Sequence, residues 1–173
     1  MTKLDCIFVM GVSGCGKTTV GQKLAETLNA KFTDADDYHS IENRLKMANG
    51  IALKDEDRYP WLQKIAEIAA NSTDQVVIAC SSLKFIYRQM LSSNLSKNKY
   101  IFLYLDVERN QLEERLKNRK GHFVDQRLLD SQLATLELVD NESNFYTVNG
   151  NHSVEDTVKD SMAIINSLHP ISC

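Results

Sequence analysis

Residues 11–18 read Gly-Val-Ser-Gly-Cys-Gly-Lys-Thr, which has the spacing G-x-x-x-x-G-K-[ST] of a phosphate-binding loop. Glycines at 11, 14 and 16 let the backbone take conformations closed to other residues and bring its N–H groups close to a phosphate. The candidate nucleotide contacts are Gly11, Val12, Ser13, Gly14, Cys15, Gly16, Lys17, Thr18 and Thr19. Lys17 is spaced to reach the β- and γ-phosphates and counts as a catalytic candidate; the Thr18 hydroxyl is spaced to ligate Mg²⁺. Cys15 lies inside the loop, where a helix N-terminus would depress its thiol pKa and make it reactive.

A second group of polar residues follows at Asp34-Ala35-Asp36-Asp37-Tyr38-His39. Carboxylates beside a phosphate site repel the nucleotide unless a metal or a proton donor intervenes. Phosphoryl transfer needs both a metal partner and a group that orients the acceptor hydroxyl. Asp34 is therefore assigned to Mg²⁺ and Asp36 to the acceptor hydroxyl, whose proton it takes late; Asp37 reads as a helix cap.

These residues need a strand before the loop and a helix after it, and both are legible. Cys6-Ile7-Phe8-Val9-Met10 is an apolar run that reads as a buried strand, and Val20, Leu24, Ala25 and Leu28 line one face of a helix. Further strands are expected at 30–33, 75–80, 100–105 and 145–148. Helices are expected over 39–48, from Asp57 with Pro60 in its first turn, over the stretch carrying Leu83 to Leu91, after an Asp106 cap, and after a Ser153/Asp156 capping box. Strands alternating with helices predict an α/β fold: a three-layer α/β/α sandwich around a central parallel sheet, with ligands at the carboxyl edge of the strands. The third strand ends in Ala79-Cys80-Ser81, where many phosphate-loop proteins carry an acid, so any second carboxylate for the metal must come from elsewhere, and Asp34 is the choice. Residues 119–138 form a polar, Arg-containing stretch expected to be a helical lid on a single domain spanning 1–173.

A length of 173 residues suits one domain that buries a core without staples. A net charge of −3 argues against a nucleic-acid binder that works by bulk electrostatics. No apolar run approaches membrane-spanning length, and the first strand begins too early to leave room for a signal peptide. Cys6, Cys15, Cys80 and Cys173 show no metal or redox spacing and fit a reducing compartment, hence a cytoplasmic location.

In order along the chain, Asp34-x-Asp36-x-x-His39, Asn43-x-x-Lys46-Met47-x-x-Gly50 and Asp55-x-Asp57-Arg58-x-Pro60-Trp61-Leu62 resemble the gluconate kinases, as do Ala79-Cys80-Ser81-Ser82-Leu83-Lys84-x-x-Tyr87-Arg88 and Arg119-Lys120-Gly121-His122-Phe123. The resemblance runs from about Ile7 to about Glu137, and Lys46-Met47, Asp57-Arg58-x-Pro60-Trp61-Leu62 and Lys120-Gly121-His122-Phe123 are more specific than the phosphate loop. It implies a P-loop kinase fold related to shikimate and adenylate kinases. It also implies transfer of the γ-phosphoryl of ATP to the 6-hydroxyl of D-gluconate, with Mg²⁺, and an assembly that is often a homodimer.

A small polyhydroxylated anion needs a cationic clamp. Arg58 is the best candidate because guanidinium matches carboxylate in a bidentate geometry, with Lys46, Lys84 and Arg88 adding charge or binding hydroxyls. By resemblance His122 joins the substrate set; neither it nor His39 is assigned to metal. Arg115 and Arg119, four residues apart, fall on one helix face and are expected to reach the phosphates when the lid closes, with Arg119 catalytic and Gly121 as hinge. Residues 148–151 are expected to wall the adenine. Two rivals remain: another small-molecule kinase, such as a shikimate-like or nucleoside enzyme, and a non-catalytic nucleotide switch. The D-x-x-G and N-K-x-D signatures of GTPase-type switches are missing from the sequence.

Overall fold

The structure is a computed structural model that describes residues 4–118 and 126–168. Five strands form one parallel sheet in the order β2-β3-β1-β4-β5: β1 (Cys6–Met10), β2 (Lys31–Asp34), β3 (Val76–Ala79), β4 (Tyr100–Asp106) and β5 (Phe145–Asn149). Seven helices are described: α1 (Lys17–Leu28), α2 (Ile41–Ala48), α3 (Asp55–Asn71), α4 (Phe85–Ser92), α5 (Arg109–Asn118), α6 (Gln126–Thr135) and α7 (Val154–Leu168).

The period-2 alternation of the strands separates two cores. Ile7, Val9, Val77, Ile101, Leu103 and Leu105 face one layer with Val20 and Leu24 of α1, Leu112 and Leu116 of α5, and Val158 and Ile165 of α7. Cys6, Phe8, Met10, Val76, Ile78, Phe102 and Tyr104 face the other, against Leu62 and Ile65 of α3 and Tyr87 and Leu91 of α4. The three-layer sandwich therefore matches the expected fold class. Strand β1 is buried along its whole length, as its unbroken apolar run requires. It lies between β3 and β4, so the chain leaving its carboxyl end enters the crevice where strand order reverses.

Several boundaries differ from expectation. Helix α3 begins at Asp55, so Pro60 lies inside it and not in its first turn. The earlier start is set by Asp57, whose Oδ2 accepts the Lys54 N–H at 2.9 Å. Asp106 does not cap α5, which starts at Arg109; Asp106 ends β4, and its carboxylate accepts from the Tyr104 hydroxyl at 3.3 Å. At the start of α7 the Ser153 half of the expected box is present: the Asp156 N–H donates to Ser153 Oγ at 3.1 Å, and that hydroxyl donates to Asp156 Oδ2 at 2.9 Å. Residues 126–138 of the expected lid include α6, whose Leu129 is 1% exposed and packed into the first core. The rest of that stretch, including Arg119, Gly121 and His122, lies outside the described residues.

Candidate active site

The phosphate loop joins β1 to α1 at the carboxyl edge of the sheet. Gly14 has φ +85°, and a Cβ there would sit 2.9 Å from the Leu116 side chain, so loop conformation and packing on α5 both demand glycine. The Gly11 N–H donates to Ser81 O at 3.3 Å and ties the loop to the end of β3. Gly16 precedes α1 in a left-handed conformation, and no side chain among the described residues caps the helix. Its first-turn N–H groups are thus left for an anion. Lys17 Nζ folds back on Val12 O at 3.1 Å. Thr18 and Thr19 are exposed in the first turn. Cys15 is 2% exposed, and burial removes the accessibility that the expected reactive thiol would need.

The acidic segment meets the loop directly. Thr18 Oγ1 donates to Asp34 Oδ2 at 2.8 Å, and the other oxygen of Asp34 accepts the Asp36 N–H at 3.1 Å. Asp34 thus ends β2, caps the short 3-10 turn Ala35–Tyr38 and touches α1, while the Asp36 carboxylate stays exposed. Behind Asp36, His39 Nε2 lies 3.8 Å from its Oδ1. The His39 ring stacks on Trp61 with centroids 4.2 Å apart, and Trp61 Nε1 donates to Ala35 O at 2.7 Å. Burial pushes the His39 pKa down. Trp61 is therefore a buried support beneath the turn.

The expected substrate cations gather around α3. Arg58 donates to Leu53 O at 2.6 Å, and its guanidinium carbon lies 5.8 Å from the centre of the Tyr87 ring. Lys84 Nζ reaches both oxygens of Asp55 at 2.9 Å, and the Tyr87 hydroxyl donates to the same carboxylate. These bonds, that of Tyr87 first, hold the Asp55 carboxyl below its usual range, and Asp55 raises Lys84. Lys46 pairs with Asp57 Oδ1 at 2.6 Å and lowers that carboxyl likewise.

Arg88 does not belong with them. It is 1% exposed, and every N–H of its guanidinium is used within the chain. Nε and Nη2 hold the two oxygens of Glu142 at 2.8 and 2.7 Å, Nη2 also reaches Glu137 O at 2.8 Å, and Nη1 reaches Ser82 O at 2.9 Å and Leu83 O at 3.2 Å. No donor is left for a substrate, so the expectation that Arg88 binds one is corrected: it fastens α4 to the chain before β5.

Arg115 bridges the loop and the expected adenine wall, through Cys15 O at 3.3 Å and Gly150 O at 2.8 Å. Sequence reasoning missed three contributors. Asp55 and Tyr87 lie inside the recognised blocks, yet only their contact with Lys84 marks them as part of the site. Gln132 of α6 holds Ser13 at both its N–H and its hydroxyl, and no motif surrounds it.

The family model described as "Shikimate kinase" matches residues 13–169. A Dictyostelium discoideum protein named "Probable gluconokinase" is 48% identical over 139 residues, which cover 76% of this chain and 70% of that one. An Arabidopsis thaliana protein named "Gluconokinase" is 38% identical over 180 residues, covering 95% and 94% of the two chains. The crystal structure of a gluconokinase from Sinorhizobium meliloti 1021 superposes with a TM-score of 0.89 at 38% identity, covering 97% of this chain and 95% of that one.

Proposed function

Since the chain belongs to the gluconokinases, within the shikimate kinase-related P-loop kinases, it is an ATP-dependent phosphotransferase acting on gluconate, and we propose which of its residues carry the transfer to the 6-hydroxyl. The observation that carries the residue assignment is the meeting of two groups at one edge of the sheet. One is the phosphate loop with Thr18 bonded to Asp34; the other is the Asp36, Arg58 and Lys84 group on the adjoining elements.

In this reading the triphosphate lies on the loop N–H groups and the start of α1. Lys17 leaves Val12 O for the β- and γ-phosphates, and Arg115 steadies the nucleotide side. Thr18 and Asp34 supply hard oxygen ligands 2.8 Å apart, which fits Mg²⁺, an ion that takes one or two protein oxygens beside substrate phosphates and water. Bound there, Mg²⁺ supplies charge neutralisation of the phosphates. Arg58 clamps the gluconate carboxylate, while Lys84 and Lys46 exchange part of their bonding to Asp55 and Asp57 for substrate oxygens. Asp36, exposed beside the loop, orients the 6-hydroxyl and accepts its proton late, as a loose transition state requires. Arg119 and His122 complete the proposed set. The free, buried Cys6, Cys15 and Cys80 support a cytoplasmic setting, and no helix among the described residues is long and apolar enough to cross a membrane.

The test is ADP release with Mg-ATP and D-gluconate beside shikimate, glucose and a no-acceptor control. Turnover is expected with gluconate well above every control. Turnover with shikimate alone would overturn the acceptor, and nucleotide binding without any turnover would overturn the enzyme.

A further inference from the structure

Ser13 is held at its backbone N–H and its hydroxyl by one side chain from a distant part of the chain. Its N–H donates to Gln132 Oε1 at 2.6 Å, and Gln132 Nε2 donates to its Oγ at 3.0 Å. The orientation of the amide follows from chemistry. A backbone N–H can only donate, so the amide oxygen must face it, and the NH₂ group must then face the hydroxyl. Gln132 is delivered by a helix seated beside the loop: Leu129 is buried in the same core as Val12 and Cys15, and Asp130 accepts a bond from Arg109 of α5.

The polarity of this pair has a consequence for the nucleotide. Because Ser13 Oγ accepts from Gln132, its own proton is free to donate elsewhere, and Ser13 lies within the phosphate loop, between Val12 and Gly14. A glutamate would fit the same space but would accept the hydroxyl proton and add a negative charge beside the triphosphate. An apolar side chain would leave Ser13 to be ordered only when nucleotide arrives, which weakens binding.

We infer that Gln132 is an ATP-positioning residue: it fixes the Ser13 peptide and directs the Ser13 hydroxyl proton towards the incoming triphosphate. This rests on the kinase reading for the identity of the nucleotide, but not on gluconate as acceptor.

The test uses the full-length protein with Gln132→Met, Gln132→Glu, Ser13→Ala and the Ser13→Ala/Gln132→Met double variant. ATP affinity is titrated directly, the gluconate KM is measured alongside, and thermal unfolding is followed without nucleotide. Gln132→Met removes both bonds to Ser13, and the usual worth of even one predicts about fivefold weaker ATP binding or more, with at least that in Gln132→Glu and with gluconate KM and unfolding temperature unchanged. The double variant is expected to lose less than the sum of the two single effects, because both substitutions break the Gln132 Nε2–Ser13 Oγ bond and only Gln132→Met also frees the Ser13 N–H. Unchanged or tighter ATP binding, additive effects, or a matching rise in gluconate KM with a lower unfolding temperature would each overturn the inference. Because ATP binding is read without an acceptor, absence of gluconate turnover in the unsubstituted protein would count against the acceptor and not against Gln132.

Discussion

Thr18 Oγ1 and Asp34 Oδ2, sixteen residues apart in sequence, are joined by a 2.8 Å hydrogen bond that links the first turn of α1 to the end of β2. The bond brings together one neutral and one anionic oxygen beside the phosphate loop, the donor chemistry that a hard divalent cation prefers. Asp34→Asn keeps the size and one acceptor but removes the charge. The Mg²⁺ concentration for half-maximal activity should rise about tenfold or more, the order of losing a charge-assisted contact. An unchanged Mg²⁺ titration would place the metal elsewhere.

Asp36 is expected to act on the acceptor and not on the nucleotide, since its backbone is fixed by Asp34 while its carboxylate remains exposed. Asp36→Asn should lower kcat by about 10², the lower end for general-base catalysis, because a loose transition state asks little of a base. ATP affinity should hold. Steady-state kinetics in both substrates separates the two effects, and full turnover in this variant would remove Asp36 from the mechanism.

Arg58 lies over the Tyr87 ring with one donor already on Leu53 O, a setting that fixes its plane. Arg58→Lys keeps the charge but loses the planar fork. Gluconate KM should rise about tenfold to a hundredfold in Arg58→Ala, matching the worth of hydrogen bonds to a charged group, and Arg58→Lys should recover little of it. Equal loss of ATP affinity would argue that Arg58 serves the fold instead.

The Lys84–Asp55 pair gives a pH prediction. The folded protein lowers the Asp55 carboxyl and raises Lys84. What the pair adds to stability is therefore complete above the ordinary carboxylate range near about pH 4 and below the ordinary lysine value near about pH 10, and is lost outside those limits. Asp55→Asn removes the anion that raises Lys84. The alkaline limb of kcat/KM for gluconate should therefore move to lower pH, and an unmoved limb would show that Lys84 charge does not govern binding.

Much of this site was legible because its residues lie in short runs tied to strand ends. The loop at 11–18 follows a strand that reads plainly, and Asp34 and Asp36 fall where β2 must end. The helix-bounding errors at Asp55 and Arg109 came from caps that depend on where a side chain turns, which spacing alone does not show. Arg88 misled for a different reason. It lies four residues from Lys84 in the same recognised block, yet Lys84 is the extended residue before α4 and bonds Asp55, whereas Arg88 lies within the helix and turns into the interior. Gln132 was invisible because its contact with Ser13 spans 119 residues and carries no local pattern.

The Arg88–Glu142 pair is the sharpest test of that division between site and scaffold. Both side chains are nearly inaccessible, 1% and 5% exposed, and the guanidinium also stacks over Phe145 at 5.1 Å. Removing one partner leaves a buried charge without its counter-ion, which costs about 3–5 kcal/mol, or about 6–20 °C of unfolding temperature in a chain of this size. Glu142→Ala should show that loss although Glu142 lies far from the phosphate loop in sequence. Replacing both residues with apolar side chains should restore part of it, because the unpaired charge disappears with its partner. In every variant that stays folded at the assay temperature, gluconate KM should be unchanged. A raised gluconate KM in Arg88→Met with normal unfolding would instead return Arg88 to the substrate clamp, against the full commitment of its donors to Glu142 and the three carbonyls.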